Sequence, residues 1–494
     1  MLPLARDIEM KLGLHPVFVF ASGYGKVPEH GQLVELQGHS WLELGGVRYS
    51  YTTPADIVSE QGYFPVIQDS ENGPVRPQVA DTDCAPTLSR RIRADLEHQF
   101  FRIKRRLFGQ LKEKDVVLSG LWLQIQRARR IFDRLDVRLI VSGQDYALSV
   151  TSILAHEGAK RNIELAIVPY SMPPTTREIV ESHARLQIHR VPKHKERIYL
   201  RHFSRWLMPY RGHIHSRLGI RDMVLADRFG LTPPLPWTPN SGLGKLLLPS
   251  DQARDYYIQS GVPADMITVT GAPWNDDLLA LESSRTERKQ RLLNRIRSEL
   301  KATGRQAPID TDKLVIVSWP PNQWPRASMG CSSYADLCSQ FIANLASIQI
   351  AELAYVAISL HPTVSDPSIV NGLRRAGIVV LRDNLIDVID CADVFSSTVS
   401  STAFWAIQCG IPSINFDGYL YGYREFDEAG ATTVRTAGQM RGVMDRLLSD
   451  EAAYAEAQNA IIAQRDYWTV RSGESKVQIM KALGKMVSAG KNNL

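Results

Sequence analysis

Residues 393–417, "DVFSSTVSSTAFWAIQCGIPSINFD", contain a strand, a helix and a second strand in close succession. An apolar run leads into the hydroxyl residues 396–398, a single valine follows, and residues 400–402 are again Ser-Ser-Thr just before a helical pattern. Hydroxyl side chains at a helix start cap free backbone amides, and the same amides, with the helix dipole, attract phosphate. The stretch therefore predicts an α/β unit with an anion site at its turn, and a plain helix N-cap is the structural alternative.

The segments upstream of this unit alternate in the same way. "KLVIVSWPP" (313–321) and "AYVAISLHP" (354–362) are each typical of a buried strand that ends in proline. Because Pro362 cannot donate to a sheet ladder, the strand must stop there and leave His361 at its carboxyl end. Open α/β sheets bind their ligands at that edge, so His361 is predicted to face a ligand, with a purely structural histidine as the alternative.

The first half of the chain carries a second series of the same kind. Strand-like runs lie at 137–143, 163–172, 245–250 and 266–273, with helical or mixed segments between them. Strands joined by helices build a parallel sheet, so the predicted fold class is α/β with two consecutive Rossmann-like domains. The predicted domains are 1–280 for the first Rossmann-like domain, 281–312 for a charged connector, 313–460 for the second Rossmann-like domain, and 461–494 for helices that pack back toward the first.

The N-terminal residues fit this scheme less well. "MLPLARDIEMKLG" (1–13) is typical of a helix, and "HPVFVFAS" (15–22) of the strand after it. A domain of this class usually opens with a strand. The first strand is therefore expected to be missing, and the first domain to be less stable for it, unless another segment fills the sheet.

The composition is that of an ordinary globular protein. The 494 residues are 44% hydrophobic and 22% charged, and no apolar run approaches the roughly 20 residues of a membrane span. Five cysteines without metal-ligand spacing indicate reduced thiols in a cytoplasmic protein. Cys331 and Cys338 are interpreted as packing residues, with metal binding as the alternative. The net charge of +6 suits an anionic substrate or a membrane surface and decides neither.

The second domain resembles the nucleotide-binding half of GT-B glycosyltransferases. Within them it is most similar to the bacterial surface-polysaccharide group, which includes sialyl-, polysialyl-, Kdo- and glycerophosphotransferases. The resemblance rests on "SLHP" (359–362), on "CADVFSSTVSSTAFWAIQCGIPSINF" (391–416) and on "SGESKVQIMKAL" (472–483). It implies two domains that face each other across a cleft.

The resemblance extends into the first domain. "LLPSDQARDYYIQSGVPADMITVTGAPWND" (247–276) is similar to the last strand–helix–strand of the first GT-B domain, and residues 138–171 to its central βαβ unit. The Gly-x-Pro of this segment is common to many GT-B proteins, and the resemblance places Gly271 and Pro273 at the interdomain cleft.

The resemblance also implies a set of donor-site residues. In the CMP-sugar enzymes of the group, the histidine of His-Pro and a Ser/Thr pair hold the nucleotide's phosphate. Carried over, His361 would contact the donor phosphate and act in catalysis, and the hydroxyls beside it would be those of Ser397, Ser400, Ser401 and Thr402. Preorganised donors at a departing phosphate lower the barrier to sugar transfer, so no metal and no further cofactor are expected.

Two features depart from the group. Many relatives place a ribose-binding carboxylate shortly after the serine pair, where this chain has Phe404 and Trp405. The acidic base motif of the polysialyltransferases is also absent. Asp145, at a predicted strand end of the first domain, is the candidate base, although an Asp there is more often a helix cap. The hydroxyl pair Tyr170-Ser171 follows the next strand.

The loop "SWPPNQWPR" (318–326) follows the first strand of the second domain and is predicted to face the same cleft. Trp319, or the second tryptophan of the loop, is predicted to stack on a base, and Arg326 to pair with a phosphate. Asn322 and Pro362 complete the predicted nucleotide site. A rigid, packed loop is the structural alternative.

The predicted function is a metal-independent glycosyltransferase. It would move a sugar or related group from a nucleotide-activated donor, CMP-sugar favoured, onto a surface polysaccharide or glycolipid, in the cytoplasm or on the inner face of the membrane. The alternatives are a nonhydrolysing UDP-sugar 2-epimerase and a catalytically silent sugar-nucleotide-binding subunit of an assembly complex. No nucleic-acid partner is predicted. The basic stretch from Arg90 to Arg134 is interpreted as solvated helix faces, with an anionic membrane or acceptor as the alternative.

Overall fold

The computed structural model describes most of the chain beyond residue 113. The described residues are 8, 11–12, 17–19, 31–36, 39–44, 47–52, 114–145, 148–169, 176–185, 189–238, 240, 242–304, 311–323, 330–360, 364 and 366–491. They contain two parallel sheets, a separate N-terminal sheet and a two-stranded hairpin.

Four strands near the N-terminus form a sheet of their own. They are β1 (Val17–Val19), β2 (Gly31–Leu36), β3 (His39–Leu44) and β4 (Val47–Thr52). The last three pair antiparallel, and β1 pairs parallel with β4. The strand predicted at 15–22 therefore exists, but its partner among the described strands is β4 and not a strand of a parallel sheet. The expected lower stability of the first domain stays a prediction.

The first domain surrounds a four-stranded parallel sheet. Its elements are α1 (Lys114–Arg134), β5 (Leu139–Ser142), α2 (Val150–Ala159), β6 (Glu164–Ile167), α3 (Thr176–Arg185), α4 (Glu196–Phe203), β7 (Leu207–Tyr210), β8 (His213–Ser216), α5 (Ile220–Arg228), β9 (Lys245–Leu248), α6 (Asp251–Gln259), β10 (Ile267–Val269) and α7 (Pro273–Leu281). The sheet order is β10-β9-β6-β5, with all pairs parallel. The run Leu246–Leu248 is buried throughout, as expected of a strand covered on both faces.

A helical layer and a hairpin accompany this sheet. The helices α1, α4 and α5 share one core, in which Tyr199, Trp206 and Met223 are buried. The strands β7 and β8 pair antiparallel, and their turn residues Arg211 and Gly212 have φ values of 50° and 75°. Two left-handed residues in succession are the mark of a type I′ turn, the turn that matches the twist of a hairpin.

The second domain surrounds a six-stranded parallel sheet. Its elements are α8 (Arg285–Ala302), β11 (Leu314–Ser318), α9 (Tyr334–Ile350), β12 (Tyr355–Ser359), α10 (Pro367–Arg375), β13 (Val379–Val380), β14 (Val394–Ser397), α11 (Thr402–Gln408), β15 (Ser413–Phe416), α12 (Glu425–Glu428), β16 (Thr432–Val434), α13 (Ala437–Ser449), α14 (Glu451–Trp468) and α15 (Ser475–Lys491). The order is β13-β12-β11-β14-β15-β16. This is the doubly wound order of a dinucleotide-binding domain, in which the chain reverses direction between β11 and β14.

Both faces of this sheet are covered. Val315 and Val317 of β11 face a core built with α9, α10 and α13, whereas Leu314 and Ile316 face the opposite core. The charged helix α8 contributes buried leucines and Ile296 to that opposite core. The stretch predicted as a connector therefore forms a helix packed against the second domain.

The C-terminal helix returns to the first sheet. Ile479 and Leu483 of α15 pack against Ala166 and Leu247, and residue Leu12 joins the same cluster. The two Rossmann-like parallel-sheet domains are thus linked a second time through the end of the chain. The predicted fold class, an α/β protein with two Rossmann-like parallel-sheet domains, is confirmed.

Candidate functional site

The carboxyl ends of the central strands in the second sheet lie at one level. Ser318 at the end of β11 pairs with Ser359 at the end of β12, and Val317 pairs with Ser396 of β14. On the other side, Ser397 pairs with Asn415 of β15. The loops that follow these strands therefore leave the sheet at the same edge, on both sides of the topological switch point, where α/β sheets bind ligands.

Hydroxyl groups are concentrated at this edge. Ser397 is 1% and Thr398 7% exposed, and within the described part of the chain neither hydroxyl oxygen has a hydrogen-bond partner. Buried polar groups in proteins are almost always hydrogen-bonded, so two adjacent ones without partners mark a place built for another polar group. Each hydroxyl therefore has a proton that no described residue accepts.

The second hydroxyl triplet forms the helix start. Ser400 Oγ accepts a hydrogen bond from the Thr402 N–H at 3.3 Å and another from the Thr402 hydroxyl at 3.0 Å. Ser401 precedes α11 and makes no side-chain cap bond. The Ser400 side chain is therefore engaged with the first residue of α11, while Ser401, at the N-cap position, makes no capping hydrogen bond with its side chain.

The residue between the two triplets is strained. Val399 has a φ of 43°, and a left-handed conformation is costly for a β-branched residue. Its N–H donates to Asn415 Oδ1 at 3.1 Å, and Asn415 Nδ2 donates to Thr433 Oγ1 at 3.2 Å. A buried asparagine thus holds the strained turn in place. Its position within a strand, where asparagine is uncommon, was the sequence signal for this role.

The loop after β11 is a packed structure. Trp319 is 1% exposed, its ring meets Phe341 edge-on at 5.6 Å, and its indole N–H donates to the Tyr334 hydroxyl at 3.2 Å. No open ring face is left for a base. The prediction that Trp319 stacks on a nucleotide is therefore wrong, because the indole fills the core beneath the loop.

Two tyrosines anchor the same loop. The Tyr334 hydroxyl donates to the Pro320 carbonyl and the Tyr419 hydroxyl to the Pro321 carbonyl, both at 2.8 Å. Burial raises the pKa of Tyr419 to about 12, so this hydroxyl keeps its proton and remains a donor. Asn322 follows on the exposed surface.

Several predicted nucleotide-site residues lie outside the described ranges. They are His361, Pro362, Arg326 and the second tryptophan of that loop, Trp324. Their assignments stay predictions.

The candidate base in the first domain is enclosed. Asp145 is 0% exposed, and its backbone N–H donates to Asn240 Oδ1 at 3.3 Å. A carboxylate without solvent-accessible surface does not meet an acceptor in this conformation. The structure therefore gives the base assignment of Asp145 no support, and Tyr170 and Ser171 lie outside the described residues.

Gly271 and Pro273 lie at a joint between the domains' helices. Gly271 has a φ of 77°, and a Cβ placed on it would come within 2.2 Å of Ser475 Oγ. Pro273 opens α7, and Asp276 of that helix accepts hydrogen bonds from the Ser475 and Lys476 N–H groups at 2.9 and 2.8 Å. The two segments recognised in the sequence, "GAPWND" and "SGESK", thus pack directly against each other.

The aromatic residues that follow the serine pair are packing residues. Phe404 is stacked between Phe426 and Trp468, at 5.5 and 5.4 Å. Trp405 is half-buried against Trp274. These contacts explain why the positions carry rings instead of a carboxylate.

One carboxylate near this edge was missed by sequence reasoning. Glu425 opens α12, and its Oε2 is buried and unpaired as far as the described chain goes. The neighbouring residues Val399 and Tyr423 pack on the cluster that contains Phe426, which brings α12 beside the strained turn. No local pattern distinguishes Glu425 from other acidic residues of its loop.

Two kinds of feature are absent from the described residues. These residues contain no group of three or more His, Cys, Asp and Glu side chains with the geometry of a metal site. Among their helices, none combines the length and the apolar character that crossing a membrane requires.

Comparisons with known proteins give structural neighbours. No protein-family model and no curated protein matches the chain. The S. aureus MnaA–UDP co-structure is 10% identical, covering 75% of this chain and 82% of that chain with a TM-score of 0.42. The UDP-GlcNAc 2-epimerase from Neisseria meningitidis bound to UDP-GlcNAc is 11% identical, with 74% and 81% covered and a TM-score of 0.41.

A third neighbour is the wall teichoic acid polymerase TagF. It is 13% identical, covering 82% of this chain and 99% of that chain with a TM-score of 0.42. All three TM-scores lie below 0.5, and these similarities assign no activity to this chain.

Proposed function

We propose that this protein is a metal-independent glycosyltransferase that binds the phosphate of a nucleotide-sugar at the switch point of its second domain. The donor is a nucleotide-activated sugar, with CMP favoured through the His-Pro resemblance. The acceptor is a surface polysaccharide or glycolipid, reached from the cytoplasm or from the inner face of the membrane.

The observation that carries the proposal is the pair of buried hydroxyls of Ser397 and Thr398, which have no hydrogen-bond partner among the described residues. They end the strand next to the point where the sheet reverses its order, the usual place for a nucleotide phosphate. Beside them, the strained turn at Val399 is held by Asn415. Strain at a ligand edge, maintained by a dedicated hydrogen bond, is characteristic of a preorganised site.

The chemistry follows from where charge develops. When the sugar leaves, the phosphate gains negative charge, and fixed hydroxyl donors stabilise this charge without reorganising. His361 follows β12 by two residues, and β12 is separated from β14 only by β11. An imidazole at this position would add a second donor from the other side of the switch point.

A second candidate has a specific observation in its favour. Because Asp145 is buried, the transferase hypothesis has no identified base for the acceptor among the described residues of the first domain. A subunit that binds the donor without transferring it needs no such base. Glu425 is the one further carboxylate we assign to this edge, as a ribose contact or a base.

Both candidates are tested by one pair of experiments. Thermal shifts with CMP, UDP, GDP and their sugar conjugates identify the nucleotide, and the Thr398→Val variant should lose that shift. Transfer is then assayed with surface-glycan acceptors and the bound donor. Binding with turnover supports the transferase, binding without turnover across acceptors supports the silent subunit, and absence of nucleotide binding contradicts both.

A further inference from the structure

One described segment of the chain is strongly basic. Residues 189–217 contain eight Arg and Lys residues and one acidic residue, Glu196, which gives a net charge of +7. The remaining 465 residues hold 50 basic and 51 acidic residues, a net charge of −1. The stretch from Arg90 to Arg134 is also basic, but much of it lies outside the described residues, whereas all 29 residues of this segment are described.

These charges are exposed and are not neutralised by carboxylates. Seven of the eight basic side chains are exposed, and none of the seven forms an ion pair with another residue of the described ranges. The seven are Arg190, Lys193, Lys195, Arg197, Arg201, Arg205 and Arg211. Clustered charge of one sign, left unpaired at the surface, attracts an anionic partner.

Aliphatic side chains are exposed among these charges. Helix α4 is fixed to the core by Tyr199, while Ile198 and Leu200 on either side of it are 58% and 48% exposed. Trp122 of α1 and Val224 of α5 are also exposed, and both helices share the core of α4. Ile198 and Leu200 are two positions apart, so they flank the exposed face of α4 on its two sides, next to the basic side chains of that face.

We propose that this surface, formed by α4, the 3-10 turn Lys193–Lys195 and the hairpin β7–β8, docks onto an anionic lipid bilayer. A bilayer satisfies both features, because lipid headgroups pair with the basic side chains while Ile198 and Leu200 enter the acyl boundary. A soluble polyanion would satisfy the charges and leave the aliphatic side chains in water. The observations therefore favour a membrane over an anionic polymer.

A cavity in the same segment has room for a headgroup. It measures about 220 Å³, and its lining includes Arg190, Arg211 and His213 together with the Glu181 carboxylate, which accepts a hydrogen bond from the Tyr210 hydroxyl at 3.0 Å. Arg190 donates to the His213 ring at 2.8 Å, and the Arg211 guanidinium lies over the Tyr210 ring at 5.1 Å. Both guanidinium groups are thus held at the cavity, where a lipid phosphate would meet them.

This inference rests on the proposed function in one respect: it adds that the acceptor is lipid-linked, because an enzyme bound to a membrane encounters lipid-linked acceptors. It stands on its own residues, and its experiment measures binding alone. A failed vesicle assay and a failed transferase assay would therefore be separate results.

The test is flotation with vesicles of phosphatidylcholine, alone or with added phosphatidylglycerol, at low and high salt. The full-length protein should float with the anionic vesicles only, and high salt should weaken the binding. Two variants should each weaken it at least about tenfold. The charge variant removes four positive charges: Lys193→Gln/Lys195→Gln/Arg197→Gln/Arg201→Gln. The aliphatic variant removes the two exposed aliphatic side chains: Ile198→Ser/Leu200→Ser.

A matched control removes four exposed charges elsewhere and should bind as the wild type does: Lys301→Gln/Arg374→Gln/Arg375→Gln/Lys485→Gln. Melting temperatures establish that all variants fold. The proposal is overturned if the wild type binds no vesicles, or if the control loses as much as the charge variant. It is also overturned if the aliphatic variant keeps full binding, or if the surface retains RNA or polyphosphate but not vesicles.

Discussion

Asn275 and Gln408 exchange two hydrogen bonds across the joint between the domains. Asn275 Nδ2 donates to Gln408 Oε1 at 2.6 Å, and Gln408 Nε2 donates to the Asn275 carbonyl at 2.7 Å. Both residues are buried, and they connect α7 of the first domain to α11, the helix that follows the hydroxyl turn. The donor-site helix is thus tied directly to the other half of the molecule.

Loss of this pair should be costly. Asn275→Ala leaves Gln408 Oε1 buried without its donor, although the bond from Gln408 Nε2 to the backbone carbonyl of residue 275 remains, and this is expected to lower the free energy of unfolding by about 1–3 kcal/mol. Urea denaturation of Asn275→Ala, Gln408→Ala and the double variant measures the coupling. Because the two residues act as a unit, the double variant should lose less than the sum of the single losses. Strictly additive losses would show that the pair is not coupled.

Gly271→Ala should destabilise the protein for two separable reasons. The left-handed backbone costs an alanine about 1–2 kcal/mol, and the clash with Ser475 adds about 1–3 kcal/mol of overpacking. Gly230→Ala is the matched control, because Gly230 has a φ of 65° and no atom within 4 Å of the place that a Cβ would take. Chemical denaturation should show the larger loss for Gly271→Ala, and Ser475→Gly should recover the difference. Equal losses at the two glycines would contradict the contact.

Thr398→Val separates binding from stability. The hydroxyl has no partner among the described residues, so its removal should leave the free energy of unfolding unchanged or slightly raised. Nucleotide binding, measured by calorimetry, should weaken. Thr238→Val is the control for stability, because the Thr238 hydroxyl donates within the structure and its loss should be destabilising. If the Thr398→Val protein binds nucleotide as the wild type does, the Thr398 hydroxyl does not contribute to the site.

His361→Ala tests the residue that the sequence singled out. Loss of one preorganised donor to the departing phosphate should raise the transition-state barrier by about 2–4 kcal/mol. This effect appears as a fall in kcat/KM for the donor. The melting temperature should stay unchanged, because a side chain at the predicted end of a strand is expected to contribute little to the core. His194→Ala, at an exposed histidine of the basic segment, is the control for donor use. Unchanged kcat/KM in His361→Ala would refute its role.

Acidification should destabilise the first domain through His183. Burial lowers the pKa of His183 below its usual 6.5, and the nearby Arg217 lowers it further. The ring stands 2.9 Å from the Ile179 carbonyl and 3.4 Å from the Arg217 guanidinium, a neutral arrangement with Nδ1 donating and Nε2 accepting. Below pH 6.5 the unfolded chain takes up the proton first, so stability falls until the pH reaches the lower folded pKa.

Urea denaturation between pH 7.5 and 5.5 measures this dependence. His183→Gln should show a shallower fall in stability than the wild type. His156, whose pKa burial also lowers, contributes in the same direction. The variant lacking both histidines should therefore be the least sensitive. An unaltered slope in His183→Gln would assign the acid sensitivity to other groups.

Most of the fold could be predicted from local properties of the sequence. Alternating apolar runs and helical periods depend on neighbouring residues, and they were sufficient to predict two parallel sheets. The hydroxyl triplets and the strand predicted before His361 and Pro362 could be read from the sequence for the same reason, since a strand end has a local chemical mark. The charge of residues 189–217 could also be counted from the sequence, but the net charge of the whole chain, +6, does not show where the charge lies.

Only the tertiary structure decided which side chains are accessible. Trp319 and Asp145 had residue types suited to ligand contact, yet both are buried by elements distant in sequence. The pairing of Gly271 with Ser475 likewise joins segments that no local pattern connects. Burial is a property of the assembled structure, which is why the sequence by itself could predict an edge of the sheet as a candidate ligand site but not which of its side chains are accessible there.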